Sequence, residues 1–149
     1  MRLSPHLHMN VNTKLACSCG CGFGGRYDHW DGELVWALER LVYDCESKLG
    51  RVLSLNVHSG GRCPTYNATV PNAHGMSRHQ GRPPGSFPCQ AIDFHIEDSD
   101  GNRVPTAFVA SMLDRFWDGG IGKYNTFVHI DMGKRSRWPR VWWTKERFE

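Results

Sequence analysis

Apolar positions along the chain follow two rhythms. Leu34, Ala37, Leu38, Leu41, Val42, Cys45 and Leu49 recur at three- and four-residue intervals, one continuous face of a 3.6-residue helix. Asp31 ahead of them suits an N-cap and Gly50 behind them suits a stop, so the spacing predicts a helix over 32–49. Val52 to His58 alternates instead, with Leu53, Leu55 and Val57 on one side, and reads as a strand. A second alternation, Gln90 to Glu97, sets Ile92, Phe94 and Ile96 against Ala91, Asp93 and His95. After the turn Ser99-Asp100-Gly101-Asn102, a second helix is expected over 105–117, opening at Pro105 as its first residue. Its buried stripe is Val109, Met112, Leu113, Phe116 and Trp117. Gly119-Gly120-Ile121-Gly122 then leads to a third strand, Phe127 to Met132, with Val128, Ile130 and Met132 facing inward.

Residues 59–90 are rich in Gly, Pro, Asn and Ser and read mostly as loop, with one short helical turn near Pro64 to Ala68. A loop of that length inside a domain is usually functional or disordered. Residues 1–16 read as an extended arm, and no internal repeat is apparent. A chain of 149 residues suits one domain with one core. The expected class is α+β: a small antiparallel or mixed sheet of three to five strands, both helices on one face, and a cleft on the other.

Composition narrows the classes. A formal charge of +3 without a basic stripe or stacking motif argues against nucleic-acid binding. No run approaches the roughly 20 apolar residues of a membrane span. No secretory h-region is visible at the start, so the expectation is synthesis in the cytoplasm, with the chain then kept there, released by another route, or trimmed of a leader. A monomer is favoured. Cys17, Cys19 and Cys21 sit in a glycine-rich loop at a spacing tighter than the two to four residues usual between zinc cysteines. The loop therefore reads first as a structural turn with thiols or disulfides, and second as a zinc knot completed by Cys45 or His29.

The strands also imply chemistry. Burying Ile92, Phe94 and Ile96 turns Asp93 and His95 to the opposite face, and burying Val128, Ile130 and Met132 does the same for His129 and Asp131. Two carboxylates and two imidazoles on one face call for solvent or a cation. With His79 from the long loop, two imidazoles and a carboxylate from three separate stretches are what a zinc site with an open position requires.

Three strings resemble the zinc D-Ala-D-Ala carboxypeptidase and endopeptidase family, peptidase family M15. They are Ser59-Gly60-Gly61-Arg62-Cys63-Pro64 with Asn67, Ser77-x-His79 followed by Ala91-x-Asp93, and Gly119-Gly120-Ile121-Gly122-x-Tyr124 leading to Phe127-Val128-His129-Ile130-Asp131 and Trp138. The Cys-x-Cys-Gly-Cys-Gly loop is similar to the compact peptidoglycan-directed branch, and the likeness spans about Cys17 to Trp138 in the expected order. The resemblance implies a zinc peptidase, Zn2+ as cofactor and the peptidoglycan stem peptide as substrate. It implies His79, Asp93 and His129 as zinc ligands, Arg62 as the anchor of a substrate carboxylate or carbonyl, and Ser77 as a substrate hydrogen-bonding group.

Two departures stand out. The family pattern sets the aspartate seven residues after the first histidine with a glycine between; here the gap is fourteen, and Cys89 stands where the glycine is expected. Many relatives carry an acid three residues before the last histidine, where this chain has Thr126. Asp131 is the expected general base in its place, with an outer partner that orients His129 as its other role. His95 is the competing candidate, and Tyr124 is expected to assist at the oxyanion. A bridge between Cys63 and Cys89 would pin the inserted loop. Two rival classes are a non-catalytic zinc-containing wall-binding module, and a cysteine hydrolase built on Cys63 or Cys89.

Overall fold

Helix α1, Gly32–Leu49, forms where the periodicity places it. Asp31 caps it by accepting the Glu33 N–H, and Gly50 closes it in the left-handed conformation with its N–H on the Glu46 carbonyl. Leu34, Ala37, Leu38, Leu41, Val42 and Cys45 are buried along one side, and Leu49 packs at the edge of the same core. Asp31→Ala is expected to lower stability by about 1 kcal/mol, measured by urea unfolding.

The computed structural model describes residues 5–6, 13–62, 68–70, 78–79 and 89–143. The short turn expected near Pro64 lies largely outside them, as do Ser77, Cys63 and Asn67. Strands β1 (Leu53–Ser59) and β2 (Ala91–Asp98), helix α2 (Thr106–Asp114), and strands β3 (Gly120–Lys123), β4 (Val128–Asp131) and β5 (Ser136–Trp138) follow among the described residues. The sheet order is β1-β2-β4-β3-β5, antiparallel except for the parallel β3–β5 pair. This is the expected mixed α+β architecture.

Both helices cover one face, where Leu55, Ile92, Phe94, Ile96, Ile121, Val128 and Ile130 are buried beneath them. Among the described residues no helix is long and apolar enough to cross a membrane.

Three expectations need correction. Helix α2 begins one residue after Pro105, which is its N-cap, and ends at Asp114 rather than 117. Phe116 and Trp117 reach the core from the turn that follows, which is why they shared the helical spacing. The lead-in Gly119–Gly122 supplies most of strand β3, Gly120–Lys123, and Ser136–Trp138, for which no element was expected, forms β5. Glycines and charged residues hide a strand from a reading based on apolar alternation.

Candidate metal centre

The register of β2 and β4 builds the site. Asp93 lies directly opposite His129, and Ala91 opposite Asp131. His79 comes from the loop, and that loop is held at both ends of the inserted segment. The Gln90 N–H donates to the Arg78 carbonyl at 2.9 Å, and the Arg62 N–H donates to the His79 carbonyl at 2.8 Å. The fourteen-residue gap therefore leaves His79 beside β2, because the two ends of the extra length are bonded to each other. Loop length of this kind is cheap in entropy.

His79, Asp93 and His129 converge, with one ligand atom from each lying within 4.8 Å of the others. His79 Nε2 is 3.4 Å from Asp93 Oδ2, and His129 Nδ1 is 2.7 Å from Asp93 Oδ1. His79 is only 5 % exposed, and its Nδ1 donates to the Gly60 carbonyl at 3.0 Å, which turns the Nε2 lone pair toward Asp93. His129 Nε2 is held by Asp131 Oδ2 at 2.8 Å, while Asp131 Oδ1 accepts the Gly133 N–H at 2.8 Å. Each imidazole thus has one nitrogen fixed by an outer partner and the other facing the carboxylate, the arrangement that sets tautomer and angle in metal sites.

The charges are mutually adjusted. Burial pushes the Asp93 carboxyl up, but hydrogen bonds from His129 and His79 outweigh it and hold the group well below the usual carboxylate range. Burial pushes His129 down, and the hydrogen bonds to Asp131 and Asp93 overcome that to raise it to about 9. Asp131 is lowered as well; its burial is outweighed by His129 and the Gly133 N–H. The donor set, two imidazole nitrogens and an ionised carboxylate around one point, fits a borderline divalent cation such as zinc.

Strand β3 makes room for the outer partners. A Cβ at Gly120 would lie 2.5 Å from the Asp131 carboxylate, and one at Gly122 would lie 2.5 Å from the Trp138 indole. Both approaches require glycine. The Trp138 ring consequently lies 5.2 Å from the His129 ring, and its Nε1–H donates to the Tyr124 hydroxyl at 2.8 Å. Tyr124 stacks on Phe127 at 4.4 Å and stands at the rim, linked to His129 through Trp138.

Arg62 lines a cavity of about 230 Å³ together with Lys14, His58 and Gly60, whose carbonyl holds His79. Its guanidinium donates to Ser59 Oγ at 3.4 Å. His95 does not join the cluster: its Nδ1 meets His58 Nε2 at 2.6 Å and its Nε2 meets Glu97 Oε2 at 3.1 Å. His58 was overlooked in the sequence, although its position in the β1 alternation, opposite Leu55 and Val57, already placed it on the polar face. Burial and the neighbouring His95 lower its pKa. Lys14 had no signal in the sequence at all. Ser77 lies outside the described residues.

Cys89 is a free, fully buried thiol set against the His79 and Ala91 carbonyls, and Cys63, its expected partner, lies outside the described residues. Burial pushes that thiol up to about 12, which disfavours a thiolate nucleophile. Comparison of the chain with models of known families, with curated proteins and with solved structures finds no match.

Proposed function

We propose that this chain is a zinc-dependent peptidase of the M15 type that cleaves the peptide stem of bacterial peptidoglycan. The observation that carries the reading is the convergence of His79, Asp93 and His129 around one point. Zinc bound there would supply a water acidified toward a pKa of about 7 and a Lewis acid for a peptide carbonyl. The chain's own residues do the positioning. Gly60 fixes the His79 tautomer, Asp131 fixes His129, and Gly122 lets Trp138 wall the site on the His129 side. Arg62, with Lys14 beside it in the adjoining cavity, offers two cations to a substrate carboxylate. Tyr124, at the rim, remains the proposed helper at the oxyanion.

Asp131 is offered two roles, proton acceptor or positioning residue. Both of its oxygens are already engaged, by His129 and Gly133, which favours positioning. Asp131→Asn separates the two. Positioning predicts a 10–100-fold loss of zinc affinity, with turnover recovering at saturating zinc. Lost turnover with zinc affinity intact would instead mark the acceptor.

The same engagement of Asp131, with Thr126 where relatives carry an acid, supports a second reading: a zinc-containing wall-binding module without turnover. Digestion of purified peptidoglycan, followed by mass spectrometry of the fragments, tests the choice. New amine termini within the stem peptides are expected. Intact wall that retains the protein would support the binder.

A further inference from the structure

The loop that the peptidase reading leaves unexplained carries Cys17, Cys19 and Cys21. Their sulfur atoms all lie within 4.8 Å of one another, and the Cys17 and Cys19 sulfurs are 3.5 Å apart. Zinc–sulfur bonds of about 2.3 Å at tetrahedral angles put ligand sulfurs roughly 3.8 Å apart. Along an extended chain three thiols two residues apart would share a face but sit roughly 6.7 Å from one to the next, too far to hold one ion. Here the backbone is wound so that they converge. The Cys17 N–H closes on the Phe23 carbonyl at 2.6 Å, the Gly20 N–H on the Cys17 carbonyl at 3.1 Å, and Gly20 and Gly22 both adopt φ of +86°. All three sulfurs therefore sit inside one closed turn.

We propose that Cys17, Cys19 and Cys21 are three ligands of a second, structural zinc site. Cys19 and Cys21 are exposed and within reach of an ion from solvent, whereas Cys17 is buried and ties the site to the core. Neither partner considered from the sequence completes the trio. No ligand atom of Cys45, buried on the core side of α1, or of His29 lies within 4.8 Å of all three sulfurs.

The site's purpose follows from what the loop touches. Phe23, at the end of the turn, packs against Gly61, where a Cβ would lie 3.0 Å from its ring. The neighbouring Leu15 carbonyl accepts the Gly61 N–H at 2.9 Å. Gly61 is next to Gly60, the residue that holds His79. The thiol-bound ion stiffens the platform behind the first ligand of the candidate metal centre, and it does so whether or not that centre hydrolyses anything.

The test is metal content with cobalt spectroscopy on the full chain. Purified protein is expected to carry two zinc ions, and both the Asp93→Ala protein and the Cys17→Ser/Cys19→Ser/Cys21→Ser protein one each. Cobalt in the Asp93→Ala protein should show sulfur-to-metal charge-transfer absorption in the near ultraviolet, and the triple serine protein should show none. If the triple variant does not fold, the absorption in wild type and Asp93→Ala decides alone. Zinc should also protect the loop thiols from alkylation until a chelator is added. Absence of the sulfur band, alkylation indifferent to zinc, or a disulfide within the trio by intact mass would overturn the proposal. One ion per wild-type chain with the sulfur band kept would uphold the loop site and count against the histidine centre.

Discussion

Replacing Asp93 by alanine is expected to remove one zinc ion per chain and to reduce hydrolysis of the stem peptide to background. Asp93 is the one carboxylate of the cluster that faces both imidazoles, at 2.7 Å from His129 and 3.4 Å from His79. Without it, two histidines from separate segments remain, too few donors to hold a hydrolytic zinc. Breaking a buried charged pair costs about 3–5 kcal/mol when the remaining charge is stranded. His129 is not stranded, because Asp131 still holds its Nε2 at 2.8 Å. The variant should therefore fold with reduced stability, and Asp93→Asn, which keeps the shape, provides the same test if it does not. Metal counting and fragment analysis check the result; unchanged zinc or unchanged cleavage would refute it.

The second large effect is in pH. His129 is raised to about 9, so below that value a proton occupies the imidazole that zinc requires. Binding displaces the proton, and zinc affinity at this centre should rise about tenfold per pH unit from pH 6.5 to 9, then level off. Stability moves differently. A histidine raised in the folded state contributes fully below its unfolded value of about 6.5, and that contribution is lost as pH rises through about 9. Metal-free protein should accordingly lose about 1.4 kcal/mol per pH unit across this window. Zinc-loaded protein carries no proton on His129 and should stay level there. Asp93, depressed in the folded state, adds stability above pH of about 4 that is lost on acidification. Calorimetric titration and urea unfolding at several pH values check both trends. A zinc affinity independent of pH would contradict them.

Much of this was legible in the chain because the helix and strand rhythms are strong. The α1 face and the turning of Asp93 and His129 away from the core follow from periods of 3.6 and 2, and the caps from Asp31 and Gly50 beside the helix; the pairing of Asp93 directly opposite His129 is a register those periods do not contain. What could not be read has specific physical causes. Strand β3 offers only Ile121 as an apolar side chain; its glycines serve Asp131 and Trp138 rather than a hydrophobic face. The position of His79 depends on backbone hydrogen bonds from Arg62 and Gln90, which no side-chain pattern encodes. The pairing of His129 Nε2 with Asp131 is likewise a matter of ring orientation. Under the proposed function, that pairing favours an orienting role for Asp131 over the expected base.

Anomalous diffraction at the zinc absorption edge, from crystals of the zinc-loaded protein, addresses the central claim most directly. We predict a peak at bonding distance from His79 Nε2, an Asp93 carboxylate oxygen and His129 Nδ1 together. Density that leaves those three side chains without a shared ion, in crystals grown with saturating zinc, would contradict the account.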